Sequence, residues 1–374
     1  MPEPDRALTA RRPSGPALPL FAAGVVGSLP RPQWVRDLLK PETRARLGEA
    51  EHRRQLDVAV AFVVALQEGA GLDIITDGEW RRDSYIGVIA DALDGFERGR
   101  RSAPGWLTVT RPLRRRPHGP GAAASEVRFL SAHTSRAVKV CLPSPYLLGR
   151  RLWDAELSSQ AYPTREAFME ALVPFLREEL LAARDAGATI VQFDDTHLCQ
   201  FVDPRERARF PDPEAEVQRC VALLNAVVEG VHGVTVAIHL CRGNRGRAGW
   251  GREGGYEPIL PALKALDVQQ YVLELAIPVA GDVAVLAELP PQRQVGVGCV
   301  DCRSEQVEPP EVIVARVERA LAHLRPEQVL LNPDCGFAPG SEFDIPLDEA
   351  YLKLRHEVEA ARRLRSRRPG ATSR

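Results

Sequence analysis

His239 and Cys241 stand two residues apart in TVAIHLCRGN, Glu274 ends the run in YVLELA, and Cys335 follows an apolar run in VLLNPDCGF. One imidazole nitrogen, two thiolate sulfurs and one carboxylate oxygen make a four-coordinate zinc site. The weak oxygen ligand of such a set can be exchanged for an incoming thiol, which the metal then holds as its thiolate. These four residues therefore point to chemistry on sulfur. Residues two apart on a β-branched run project from the same strand face, so His239 and Cys241 can reach one metal. Cys335 has Gly336 beside it, and glycine permits a sharp backbone turn where a ligand would be presented. Free cysteine also packs as a small buried hydrophobe, but a His two residues from a Cys, with Arg242 adjacent, is a poor core pattern.

The elements that must hold these residues are short β-rich runs alternating with amphipathic helical stretches. The runs are Phe21–Ser28, Asp73–Asp77, Val138–Leu142, Thr189–Phe193, Thr235–Leu240, Val268–Glu274, Gln294–Val300 and Val329–Asn332. Eight such runs predict an α/β fold, a (β/α)8 TIM barrel. Val58, Phe62, Ala65 and Leu66 are spaced for one helix face, as are Phe168, Leu172, Phe175 and Leu176. Residues 98–136 break the alternation. They hold a β-like run Trp106–Thr110, a basic PLRRRPHGPG turn and a second short run Val127–Leu130, and are read as a hairpin inserted after the second strand. The basic cluster Arg114–Arg116 is read as a solvated turn. In such a barrel the active site lies at the carboxyl ends of the strands. The candidates there are Gly27, Ser28, Asp77, Glu79, Asp194, Asp195, His239, Cys241, Glu274, Asp301, Asp334 and Cys335.

A chain of 374 residues with 44% hydrophobic residues can bury a sizeable core, and its net charge of -1 gives no general attraction to nucleic acid. Seven cysteines without an even, closely spaced framework, and no signal-type apolar segment, point to a reducing cytoplasm. No apolar stretch is long enough to span a membrane. Residues 1–19 read as a disordered leader, 20–361 as a single barrel domain and 362–374 as a basic tail. Cys299 and Cys302 have the spacing of a metal or redox pair, but on a continuous strand residues three apart face opposite sides.

The motifs GVVGSLPRP, TDGEWRRDSY, KVCLPSP, VQFDDTHL, HLCRGN with GGYEPI, VLELA, VGVGCVDCRSEQVE and LNPDCGF run in order along the chain. Together they resemble the catalytic C-terminal barrel of the cobalamin-independent methionine synthase family. The resemblance implies that His239, Cys241, Glu274 and Cys335 are the zinc ligands, and that Ser28, Glu79 and Asp194 hold the amino-acid part of homocysteine. Where the long members end their seventh strand in Asp-x-His, with the His as proton donor, this chain has Asp301 and Arg303. Arg303 cannot act as a general acid near neutral pH, but can bind an anionic group. The long members also carry a duplicated N-terminal barrel that helps to bind the folate polyglutamate tail, and this chain has no counterpart.

The activity implied is zinc-dependent transfer of an alkyl group, in the first place methyl, to a thiol such as homocysteine. The donor is left open among methylcobalamin on a corrinoid protein, a methylated pterin and a strained or activated small molecule. Other readings are an epoxide-to-thiol transferase, a carbon–sulfur lyase, a metal-free decarboxylase on the same scaffold and a non-catalytic thiol carrier; homodimer formation is compatible with all of them.

Overall fold

The computed structural model describes residues 17–99, 107–116, 121–338 and 345–368. Its strands, in chain order, are β1 (Ile74–Ile75), β2 (Leu93–Arg98), β3 (Leu107–Arg115), β4 (Ala137–Pro143), β5 (Ile190–Asp194), β6 (Thr235–Leu240), β7 (Gln270–Leu273), β8 (Gln294–Val300) and β9 (Val329–Pro333). Seven of them form one parallel sheet in the order β1-β4-β5-β6-β7-β8-β9. The sheet curls into a ring because residues 23 and 24 bridge its two edges, Ala23 pairing with Leu331 and Gly24 with Ile74. The first of the eight expected strands is thus only a two-residue seam. The chain leaves the ladder after Gly24 because side chains take over its carbonyls. Lys139 Nζ donates to the carbonyl of Val25, Gln192 Nε2 to that of Val26 at 3.1 Å and Thr76 Oγ1 to that of Gly27 at 2.9 Å. Buried backbone groups must be paired, and here a strand partner is not what pairs them.

Alternation along the strands sets what faces the inside of the ring. Ala137, Ile190, Ala237, Val272 and Leu330 belong to a small apolar cluster. Two residues further along, Lys139, Gln192, His239 and Glu274 share the same faces, so polarity rises toward the carboxyl ends. The larger core lies between sheet and helices. The helix Arg165–Asp185 starts where Thr164 Oγ1 accepts the N–H of Ala167 at 3.1 Å, and it buries Phe168, Leu172 and Leu176 completely. Each such side chain contributes about 1.5–3 kcal/mol by leaving water, and Phe168→Ala would cost about 3–5 kcal/mol.

Three expectations are corrected. On the helix Glu49–Ala70 the face marked by Val58, Phe62, Ala65 and Leu66 is the outer one. Val58 and Phe62 are 56% and 49% exposed, while Leu56, Ala59, Val60, Val63 and Val64 are buried; residues 58–66 are all apolar, so spacing within that stretch alone does not choose its inner face. Val127–Leu130 is not a strand but part of the helix Ala122–His133, opened by an Ala run that favours helix. The hairpin is made instead by β2 and β3, which pair antiparallel. Most of the basic stretch therefore lies on β3, where Arg115 pairs with Glu178 and Glu179, each at 2.7 Å. Finally, Arg362–Ser366, read as the start of a basic tail, continues the helix Leu347–Ser366. Residues 1–16, Trp106, the turn at 117–120 and the tail beyond 368 lie outside the described residues. Within the described residues, no helix is long and apolar enough to cross a membrane.

Candidate metal centre

β6 carries His239 inward and ends one residue before Cys241, which shares that face. Glu274 follows the last residue of β7 and Cys335 lies two residues beyond β9. Ligand atoms of His239, Cys241, Glu274 and Cys335 all lie within 4.8 Å of one another, and all four residues are buried. The two sulfurs are 3.4 Å apart. His239 Nδ1 is 3.1 Å from the carbonyl of Val272, which fixes the proton on that nitrogen and the bare lone pair on Nε2. Nε2 is buried and, among the described residues, has no hydrogen-bond partner. An orphaned imidazole nitrogen beside two thiols and a carboxylate is a donor set that fits zinc.

Without a metal these groups lean on one another. The hydrogen bond from Cys335 holds the Cys241 thiol well below its ordinary range against the cost of burial, with His239 helping. Cys335, as the donor, is pushed well up. Burial disfavours charge on His239, but the Cys241 thiolate outweighs it and the imidazole is raised. Glu274 is fully buried. Its Oε1 accepts the backbone N–H of Arg242 at 2.8 Å, and its Oε2 takes Nη2 of Arg303 at 2.6 Å. Arg303 also lies 3.7 Å from Asp334, so one guanidinium sits between two carboxylates. Asp334 Oδ1 accepts the N–H groups of Leu275 and Ala276 at 2.8 and 2.9 Å, which fixes the turn that presents Glu274.

Residues 21–363 match the family model described as the catalytic domain of cobalamin-independent synthase. The chain belongs to the cobalamin-independent methionine synthase family. Relatives of similar length include a methionine synthase from Sulfurisphaera tokodaii, 25% identical, with 93% of this chain and 94% of that protein covered. Another is the Bacillus subtilis protein YxjH, 26% identical over 91% of this chain and 94% of its own length. Among solved structures, a B12-independent methionine synthase from Shewanella sp. W3-18-1 in complex with selenomethionine has the same fold, with TM-score 0.76, 24% identity, and 94% and 99% of the two chains covered. A methyltransferase from Methanosarcina mazei is more distant, with TM-score 0.52 and 14% identity over 94% of this chain and 95% of its own.

In this member of the family the candidate metal-ligating group adjoins the other expected site residues. Asp194 ends β5 directly opposite His239 of β6, and burial raises its carboxyl. Glu79 reaches the mouth from a tight turn in which Gly78 and Glu79 are both left-handed, at φ 65 and 59. Glu79 is not a glycine, so that backbone stores strain of about 1–3 kcal/mol. Thr76 Oγ1 accepts the Gly78 N–H at 3.1 Å and Asp77 Oδ1 that of Glu79 at 2.9 Å, which holds the turn. Burial pushes the Glu79 carboxyl up to about 7, with Arg82 and Arg31 opposing. Arg82 does not neutralise it by contact, for it forms a two-point pair with Glu126, at 2.8 and 2.5 Å.

Ser28 lies against Cys335 and Gly336. The carbonyl of Ser28 accepts the Phe337 N–H at 3.0 Å, and an added Cβ on Gly336 would collide with Ser28 Oγ. Gly336 is therefore needed for close approach; the chain bends around it, at Asp334, Cys335 and Phe337, without Gly336 itself taking a positive φ. Asp301 does not join the ligand set: its Oδ1 accepts the N–H of Arg303 at 2.9 Å and so positions that residue. Cys299 and Cys302 are buried and unpaired, each with its own neighbour, Asn332 and Asn244 respectively.

Three contributors were not singled out from sequence. Tyr256 accepts the Glu274 N–H at 3.0 Å, and Asn244 Nδ2 donates to the carbonyl of Gly336 at 2.9 Å. Both lie in motifs that carry the resemblance, GGYEPI and HLCRGN, which was the available signal. Cys141, the third, faces Glu79 and Asp194; it too lies in such a motif, KVCLPSP, though nothing in its own spacing marks it.

Proposed function

We propose that the protein transfers a methyl group to the sulfur of an amino-thiol such as homocysteine, with zinc held by His239, Cys241, Glu274 and Cys335. The observation that carries this reading is the convergence of those four candidate ligands within 4.8 Å around a His239 Nε2 that has no hydrogen-bond partner among the described residues. When bound there, zinc supplies a Lewis acid that keeps a substrate thiol deprotonated at neutral pH.

The remaining work belongs to the protein. Glu79 and Asp194 accept hydrogen bonds from the substrate ammonium group, and Ser28 donates to its carboxylate. Glu274 is held by two donors whichever atom approaches it, so it can give way to a thiol without becoming an unpaired buried charge. Arg303, aimed at Glu274 and Asp334, supplies fixed positive charge and no proton. Sulfur bonds the methyl carbon in line as the donor's leaving group departs with the bonding pair. A single barrel, with its last helix running to Ser366, provides this chemistry, in a reducing cytoplasm that suits seven free cysteines. A corrinoid protein or a pterin is the donor we favour testing first.

The test is metal content of the purified protein, followed by calorimetry with homocysteine and with coenzyme M, a thiol without an amino group. About one zinc per chain and tighter binding of homocysteine are expected. Cys335→Ser should lose most of that zinc and remain folded; equal zinc in both proteins refutes the ligand assignment.

A further inference from the structure

A second set of metal-ligating atoms lies beside the first. Glu79, Cys141 and Asp194 each offer a ligand atom, and these atoms all lie within 4.8 Å of one another. They come from three separate segments, the turn after β1, the inner face of β4 and the end of β5. A Cβ placed on Gly27 would be 2.8 Å from Glu79 Oε1 and 2.9 Å from Cys141 Sγ, so both atoms converge over that backbone. Glu79 is only 7% exposed, and no side-chain hydrogen bond or ion pair from the described residues reaches its carboxylate. A carboxylate buried to that degree without a partner is costly. Cys141 Sγ is held 3.4 Å from the carbonyl of Val26. Gln192 Nε2 donates to Asp194 Oδ1 at 2.7 Å, leaving Oδ2 for a ligand.

We propose that Glu79, Cys141 and Asp194 bind a thiophilic divalent cation, zinc or cadmium, in the place where an ammonium group would otherwise sit. One sulfur and two carboxylates select such ions over magnesium or calcium, which take oxygen ligands. Binding forms a metal–sulfur bond, releases the Cys141 proton to solvent and changes no oxidation state. Ammonium and dication use the same acceptors, so they exclude each other, and excess metal becomes an inhibitor competitive with the amino-thiol. That inhibitory consequence rests on the amino-thiol reading above, whereas the metal site itself does not.

The test titrates chelator-stripped, full-length protein with Cd²⁺, following thiolate-to-metal absorption and counting bound metal by equilibrium dialysis. Wild type should bind about two equivalents, and Cys141→Ser and Cys335→Ser one each. Affinity for the second equivalent should fall at least about tenfold in Cys141→Ser. Methionine should displace only the second equivalent, and 4-methylthiobutanoate, which lacks the ammonium group, should displace neither. One equivalent in wild type that Cys335→Ser abolishes and Cys141→Ser leaves overturns the second site alone. One equivalent that Cys141→Ser abolishes and Cys335→Ser leaves upholds it and overturns the first. Where Cys141→Ser does not fold, Asp194→Asn takes its place, and two equivalents retained there overturn the second site; two equivalents in wild type indifferent to methionine overturn only its competition with the amino group.

Discussion

Arg303→Met should destabilise the metal-free protein far more than the zinc-loaded one. Arg303 and Glu274 face each other at 2.6 Å with side chains 3% and 0% exposed. At that distance and an effective dielectric near 20, Coulomb's law gives about 6 kcal/mol. Desolvation of both ions removes much of this, but taking away one partner leaves the other charge buried, and such breakage costs about 3–5 kcal/mol. Methionine fills similar volume, so little cavity cost is added. In a domain of this size the loss lowers Tm by several degrees. With zinc present, a dication beside Glu274 replaces the missing charge, and most of the deficit should vanish. The assay is thermal or urea unfolding of wild type and Arg303→Met, each stripped and zinc-loaded. An equal loss in both states, or none in either, refutes the argument that Arg303 is there to balance Glu274.

Gly336→Ala forces a Cβ into Ser28 Oγ; overpacking of this kind costs about 1–3 kcal/mol, and it should lower affinity for thiol substrate, since Ser28 and Cys335 flank the collision. Unchanged unfolding and binding would show that the loop has slack. Glu79→Gln keeps the size of the side chain but removes its charge, so the one zinc expected of the protein as purified, at the His239 set, should hold while homocysteine affinity, read by calorimetry, falls about tenfold or more; equal affinity would remove Glu79 from the amino-group site. Asp203 accepts the N–H of Glu253 at 3.1 Å, and its hydrogen bond from Arg205 helps to hold its carboxyl at about 2 against an ordinary 3.8. A lowered folded-state value gives stability that is fully present above pH 3.8 and lost as pH falls through about 2. The Tm gap between wild type and Asp203→Asn should therefore close over that window, and a gap independent of pH would refute the linkage.

The convergence of the four candidate ligands was legible because two rules act together at strand ends. Alternation puts His239 and Cys241 on one face, and barrel geometry gathers the carboxyl ends of different strands. What the ligands lean on was less legible. Arg303 was read as a site residue that binds an anionic group, but that its anions are the chain's own Glu274 and Asp334, far away in sequence, was not visible. Residues 21–28 have strand composition, yet only Ala23 and Gly24 make bridges, because Lys139, Gln192 and Thr76 supply donors from elements that the segment itself does not announce. The Glu49–Ala70 helix was misread for a different reason. Phe62 lies on its outer side, but stacks on buried Trp80 at 6.1 Å and meets Trp34 edge-on at 6.4 Å, so an apolar residue there has work to do outside the core.

The two-residue seam makes the last helix a clasp. Arg365 donates to the carbonyls of Leu20 and Phe21 at 2.6 and 3.2 Å. It also pairs with Asp73 at 2.6 Å, and Asp73 in turn accepts the Ala23 N–H at 3.0 Å. The beginning of the ring is thus fastened by a residue almost 350 positions later, a separation of 345 for the Leu20 contact. On the ribosome, the opening strand must wait for nearly the whole chain before it has anything to close against. Leu331, which closes the ring against Ala23, and Cys335 also arrive late, so ring and candidate metal pocket are completed by the same late segment, and a nascent chain stopped before Leu331 would hold an open sheet.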